Sequence, residues 1–295
     1  MNMIEITSNN TLATNNQSAV SNDSTLIELF LQSKRSANTR EAYGRDIAMF
    51  QTFGAGVAQS TLKTLLDFAD DIADSDMSVA TQRRVLSTIK SLFSFAHKIG
   101  YILFNAAVAI ELPTIEDTLS EKLLTEKEVK SIIANAPTPR DKAVILTLYV
   151  TGMRVSELCS LEWRNLNQES GTISFLSAKG KKTITQRITA VCFWQAIGSI
   201  KTAAACSADK VFCSRDESSI TRQAVHTIVA QSAKVAGIDK PVSPHWLRHA
   251  KASHALSNGA TVALVSRDLG HSSVAITSRY LHALPSESSA DYLNI

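Results

Sequence analysis

Apolar residues recur at helical spacing from about residue 24 to residue 110, and the clearest run lies between 81 and 99. Val85, Leu86, Ile89, Leu92, Phe93, Ala96 and Ile99 fall on one side at about 100° per residue, the pattern of a helix with one buried face. Arg83, Arg84, Lys90, His97 and Lys98 fall on the other side, with no acid among them. Gly100 then supplies a stop, because glycine adopts the left-handed conformation that ends helices. The polar side reads either as a solvated surface or, being of one sign, as a stripe that tracks a polyphosphate backbone.

Around this helical stretch the pattern changes. Residues 1–23 are rich in Asn, Ser and Thr and are expected to form a flexible tail, since they can bury little apolar surface. From 111 to 121 the periodicity lapses around Pro113 into a polar run that reads as a linker. A second domain, 122–295, begins near Leu124, where Thr125 and Glu128 fit a capping box. More helices follow, with one β interlude. The alternating runs 171–175 and 183–189 flank Ala178-Lys179-Gly180-Lys181 and read as a hairpin. The expected class is mainly α with a small antiparallel sheet: a helical N-terminal domain at 24–110 joined to a mixed α/β domain.

Composition narrows this only a little. The chain has 295 residues, 44% hydrophobic, with a net charge of +3. A basic balance this mild permits nucleic-acid binding without demonstrating it. Cys159, Cys192, Cys206 and Cys213 show no zinc-ribbon or C-x-x-C spacing and read as small hydrophobes of a reducing cytosol. The chain opens without a signal-peptide pattern and lacks the roughly 18 continuous apolar residues of a membrane span. A soluble, cytoplasmic protein is expected.

Four segments of the second domain carry candidate chemistry. In Thr151-Gly152-Met153-Arg154-Val155-Ser156-Glu157-Leu158, Arg154 and Glu157 share a helix face; alone, this is an ordinary ion pair. Lys179 sits in the hairpin turn, where a lysine usually serves solubility. In Ser243-Pro244-His245-Trp246-Leu247-Arg248-His249, Ser243 and Pro244 suit a helix start, which places His245 and Arg248 where a phosphate can bind. His245, His249 and His254 also suggest a metal, but the glutamate of H-E-x-x-H is absent. Finally, Leu269-Gly270-His271-Ser272-Ser273 ends one helix and caps the next, which carries Tyr280. Singly, each has a bland reading.

In order, they resemble the tyrosine recombinase (phage integrase) family, whose signature runs arginine, lysine, H-x-x-R, histidine or tryptophan, then tyrosine. Arg154 lies in a T-G-M-R-x-S-E-L box and Lys179 in an A-K-G-K-K turn. His245 and Arg248 match H-x-x-R. His271 in L-G-H-S-S precedes Tyr280 by nine residues, and His282 follows. The 24–110 region resembles that family's helical core-binding, SAM-like domain, and Ser36-Ala37-Asn38-Thr39-Arg40-Glu41-Ala42-Tyr43 resembles the start of its second helix. That likeness favours Arg40, Arg83, Arg84, Lys90 and Lys98 as DNA contacts.

The resemblance implies a site-specific DNA recombinase of a simple, Xer-like two-domain type, for the chain leaves little room for the extra arm-binding domain of larger phage integrases. Tyr280 would be the nucleophile, since a phenol near pKa 10 needs a positive site and a base to ionise. Arg154 and Arg248 would hold the phosphate bidentately, His245 would be the base, Lys179 the general acid and His271 a further phosphate contact, with Glu157 orienting Arg154 or His245. A 3′-phosphotyrosyl link and a free 5′-hydroxyl would result, without metal, ATP or other cofactor. The partners implied are a double-stranded recombination site and three further subunits, the same chain or a paralogue, tethered through 286–295. The competing readings are a type IB topoisomerase, a catalytically inactive DNA-binding regulator and, more distantly, a zinc hydrolase.

Overall fold

A computed structural model describes residues 20–54, 56–177, 182–201, 210–214 and 218–283, with the side chains of residues 282 and 283 left out. The hairpin turn bearing Lys179, the His282 side chain and the 286–295 segment lie outside the described residues, as does the tail up to residue 19. The chain divides into two compact units, Met1–Glu116 and Asp117–Ile295.

The first unit packs α1 (Asp23–Gln32), α2 (Ala37–Thr52), α3 (Leu62–Asp74) and α4 (Val79–Lys98). Each starts on an oxygen-bearing cap, Asn22, Ser36, Thr61 and Ser78, that accepts from an otherwise orphaned backbone N–H. Their apolar stripes meet in a core of Leu26, Phe30, Phe50, Phe68, Ile89 and Phe93, among others. The α4 face expected to be apolar is buried from Val85 to Ala96.

The opposite face of α4 is more occupied than its own sequence suggests. Arg84 pairs with Asp46, a buried carboxylate on α2 that also accepts from Thr88 Oγ1 at 2.8 Å. Arg83 Nη1 donates to Pro113 O at 2.6 Å, and Lys90 Nζ donates to Val108 O at 2.8 Å and to Ile110 O. The tail reading also ends too late. Val20 is buried, and Asp23 accepts from Val57 N at 2.6 Å and Tyr101 Oη at 2.7 Å. A single carboxylate thus recruits the end of the polar segment into the fold, which composition alone does not reveal.

The second unit comprises α5 (Glu126–Ala134), α6 (Pro139–Thr151), α7 (Val155–Cys159), α8 (Val191–Lys201), α9 (Arg222–Val235), α10 (Pro244–Ser257), α11 (Val262–Leu269) and α12 (Val274–Ala283). A three-stranded antiparallel sheet, β1 (Leu166–Asn167), β2 (Thr172–Leu176) and β3 (Thr183–Arg187), lies between α7 and α8. Strands β2 and β3 pair in the register Thr172↔Arg187 to Leu176↔Thr183. Helix α6 is apolar nearly all round and forms the centre of the core, from Ala143 to Leu148. A smaller cluster of Leu119, Ala252, Leu256, Val265, Leu269 and Tyr280 lies beside it. Cys213 is disulfide-bonded, so it is not the simple small hydrophobe expected. Among the described residues no helix is long and apolar enough to cross a membrane.

Candidate active site

The site gathers around two helix ends. Helix α6 stops at Gly152, whose φ of 65° is left-handed. A Cβ there would meet Leu269 Cδ2 at 2.6 Å and Lys251 Cδ at 2.8 Å, so both conformation and space require glycine. The chain then turns directly into α7 with Arg154 as its N-cap. Glu157 caps this turn from one side, accepting twice from Arg154: backbone N donates to Oε2 at 2.7 Å and Nη1 to Oε1 at 3.0 Å. Glu157 is 2% exposed, so the pair is not the surface ion pair that spacing alone suggests.

Helix α10 begins at Ser243 and Pro244, although the Ser243 side chain makes no capping hydrogen bond. Arg248, one turn in, is buried. Its Nη1 donates to Gly152 O and its Nη2 to Leu269 O at 2.6 Å. The guanidinium therefore joins the carboxyl ends of α6 and α11, where helix dipoles favour a cation. Burial, then the neighbouring Arg154, brings its pKa down to about 10, while Glu157 and Tyr280 act in the opposite sense. Lys251 Nζ donates to Thr151 O at 3.2 Å, and burial lowers it to about 8. Gln186 on β3 donates to Thr151 O at 3.0 Å and to Asp268 O at 2.7 Å, tying the hairpin to both helix ends.

Helix α11 ends at Gly270, again left-handed at φ 61°. A Cβ there would meet Ile184 Cδ1 at 2.6 Å, so the hairpin seats on this turn. His271 follows, with Nδ1 2.8 Å from the buried Thr277 Oγ1 of α12. Three residues on, Tyr280 is 5% exposed and its hydroxyl lies 2.8 Å from His249 Nδ1. Burial pushes the phenol above its usual range, against the pull of Arg248 and Arg279. Burial also pushes His249 down to about 4, helped by His245 and Arg248, so the imidazole is neutral near pH 7.

Arg154, Glu157, Arg248 and Tyr280 are thus brought together, and the His245 ring stands 6.4 Å from that of His249. Sequence reasoning treated His249 only as half of a metal pair. The available signal was its place one turn beyond His245 on a helix already facing the site. His254, the third histidine of that reading, is engaged elsewhere: its Nδ1 is 2.9 Å from Tyr149 Oη and its Nε2 2.8 Å from Leu124 O.

A model described as phage integrase family matches residues 122–287, and one described as phage integrase, N-terminal SAM-like domain matches 25–100. The chain belongs to the phage integrase family. It is a tyrosine recombinase, and its relatives include tyrosine recombinase XerC of Xanthomonas campestris pv. campestris, 31% identical over 87% of this chain and 82% of that protein. Tyrosine recombinase XerD of Pseudomonas putida is 29% identical over 88% of this chain and 91% of the relative. A solved structure of a lambda integrase dimer bound to a COC′ core site has the same fold, with a TM-score of 0.75 at 17% identity over 91% of this chain and 79% of that one. In the recombinase's first unit, Lys98 and Arg40 are exposed, and Arg40 Nη1 donates to Lys34 O at 2.8 Å.

Proposed function

We propose that this recombinase cuts and rejoins DNA at specific sites through a 3′-phosphotyrosyl intermediate, with Tyr280 as nucleophile. The observation that supports it most is the place of Arg248, held at the carboxyl ends of α6 and α11 with the second guanidinium, Arg154, and the Tyr280 phenol both close enough to act on it. Extra negative charge on the non-bridging oxygens of a pentavalent phosphate is stabilised by such a pair, which needs no deprotonation and fits phosphate bidentately.

In this reading Tyr280 Oη attacks phosphorus and loses its proton to His245. The bond to the 5′-oxygen breaks, and that oxygen takes a proton from Lys179. His271 contacts the phosphate, and Glu157 holds Arg154 in place. Because the phosphotyrosyl link conserves the energy of the broken bond, a second 5′-hydroxyl can displace Tyr280 without ATP. Double-stranded DNA is the partner, acted on by four subunits of this chain or a paralogue in the cytoplasm. Arg40 and Lys98 are proposed as phosphate contacts of the first unit. Arg83, Arg84 and Lys90 also stabilise that unit internally.

The test is covalent capture. The purified chain is incubated with nicked fragments of genomic DNA from its source, and the junction of each trapped adduct is mapped. Adducts at one recurrent sequence are expected, and none with Tyr280→Phe. An adduct that persists in that variant overturns the assignment.

A further inference from the structure

Tyr280 is 5% exposed, with its hydroxyl at 2.8 Å from His249 Nδ1. Duplex DNA is a stiff polyanion, and its phosphates cannot follow a hydroxyl into a protein interior. The hydroxyl has to come out to react, and the hydrogen bond to His249 is what it leaves. That bond is well anchored on the histidine side. His249 follows Arg248, whose two hydrogen bonds to Gly152 O and Leu269 O fix this turn of α10. On the tyrosine side the preceding residue is clasped as well: Arg279 donates to Asp117 through Nη2 at 2.8 Å and Nε at 3.2 Å. Two consecutive residues of α12 are therefore held.

We infer that His249 is a positioning residue that holds the Tyr280 hydroxyl in a resting arrangement, released when α12 shifts on engaging DNA. The inference rests on the reading of Tyr280 as nucleophile. Holding fits the chemistry of the pair better than proton abstraction. Burial keeps the imidazole neutral and pushes the phenol the other way, so proton transfer across this hydrogen bond runs strongly uphill. A neutral imidazole is a good acceptor for a phenol proton, and a buried phenol deprived of its acceptor is left with an unsatisfied hydroxyl, which raises the free energy of the resting arrangement.

The test uses the full chain and, as probe, the nicked duplex recovered by covalent capture. His249→Leu removes the acceptor at similar volume. Its adduct is expected to form about fivefold to tenfold faster, with unchanged duplex affinity, as loss of one hydrogen bond from the resting state predicts. His249→Asn, with an acceptor oxygen at the δ position, is expected to return towards the wild-type rate. An unchanged or slower rate in His249→Leu overturns the inference. Should that variant not fold, ring-nitrogen NMR of the wild-type chain decides. An unprotonated, hydrogen-bonded Nδ1 on His249 that is lost in Tyr280→Phe and on binding the duplex supports it; one unaltered by duplex overturns it. Absence of any adduct in the wild type defeats the nucleophile reading instead, while the NMR comparison with Tyr280→Phe still reports whether His249 holds the hydroxyl.

Discussion

Arg154 and Glu157 are three residues apart, a spacing that on a solvated helix contributes a few tenths of a kcal/mol. Here the carboxylate is 2% exposed and accepts from both the backbone and the guanidinium of Arg154. Removing it leaves two donors short of their partner. Glu157→Ala is expected to lower stability by about 2–3 kcal/mol, read from the denaturant midpoint, with Glu157→Gln less affected because it retains an acceptor. His249 yields a second expectation, on pH. Its folded pKa of about 4 lies below the usual 6.5, so between those values the unfolded chain binds the extra proton. Stability is then fully present above the unfolded pKa and falls as pH drops towards the folded one. His249→Asn should flatten that part of the stability–pH curve relative to wild type; parallel curves would refute it.

At the scale of elements, two left-handed glycines close the site. Gly152 lets α6 end against Leu269 and Lys251, and Gly270 lets the hairpin seat on α11. Gly152→Ala adds a left-handed strain to a steric clash and is expected to cost at least about 2 kcal/mol, seen as a lower Tm. The Asp117–Arg279 clasp is a different case. Both side chains are more than half exposed, so Asp117→Ala should leave the denaturant midpoint nearly unchanged. Helix α4 shows what periodicity can and cannot deliver. Its apolar face was legible because burial at one side of a helix repeats every 3.6 residues. Its cationic face was legible as a run of one sign, but not as a set of internal contacts, because Asp46, Pro113, Val108 and Ile110 arrive from elsewhere in the unit.

Over the whole molecule, each of the two units carries its own apolar core, which two stretches of helical periodicity joined by a polar run around Pro113 already suggest. The net charge of +3 is too small to drive DNA binding by itself, so the placement of individual cations matters. Lys98→Ala and Arg40→Ala are each expected to weaken binding to any duplex alike and to reduce the salt slope of the binding constant by about one. Fluorescence anisotropy at several salt concentrations measures it. A slope unaltered in both would remove these residues from the interface.

By itself the sequence determined the mainly helical class, the small sheet and the ordered set of Arg154, Lys179, His245, Arg248, His271 and Tyr280. Those features are local: periodicity, caps and turn glycines act over a few residues, and a motif keeps its spacing whatever surrounds it. Tertiary structure alone decided which partner each polar group found. Glu157 became buried, Asp46 met Arg84, Asp23 drew its segment into the core, and Tyr280 came to rest against His249 rather than in solvent. Such pairings join residues distant in the chain, where the cost of burying a polar group depends on neighbours that no local pattern names.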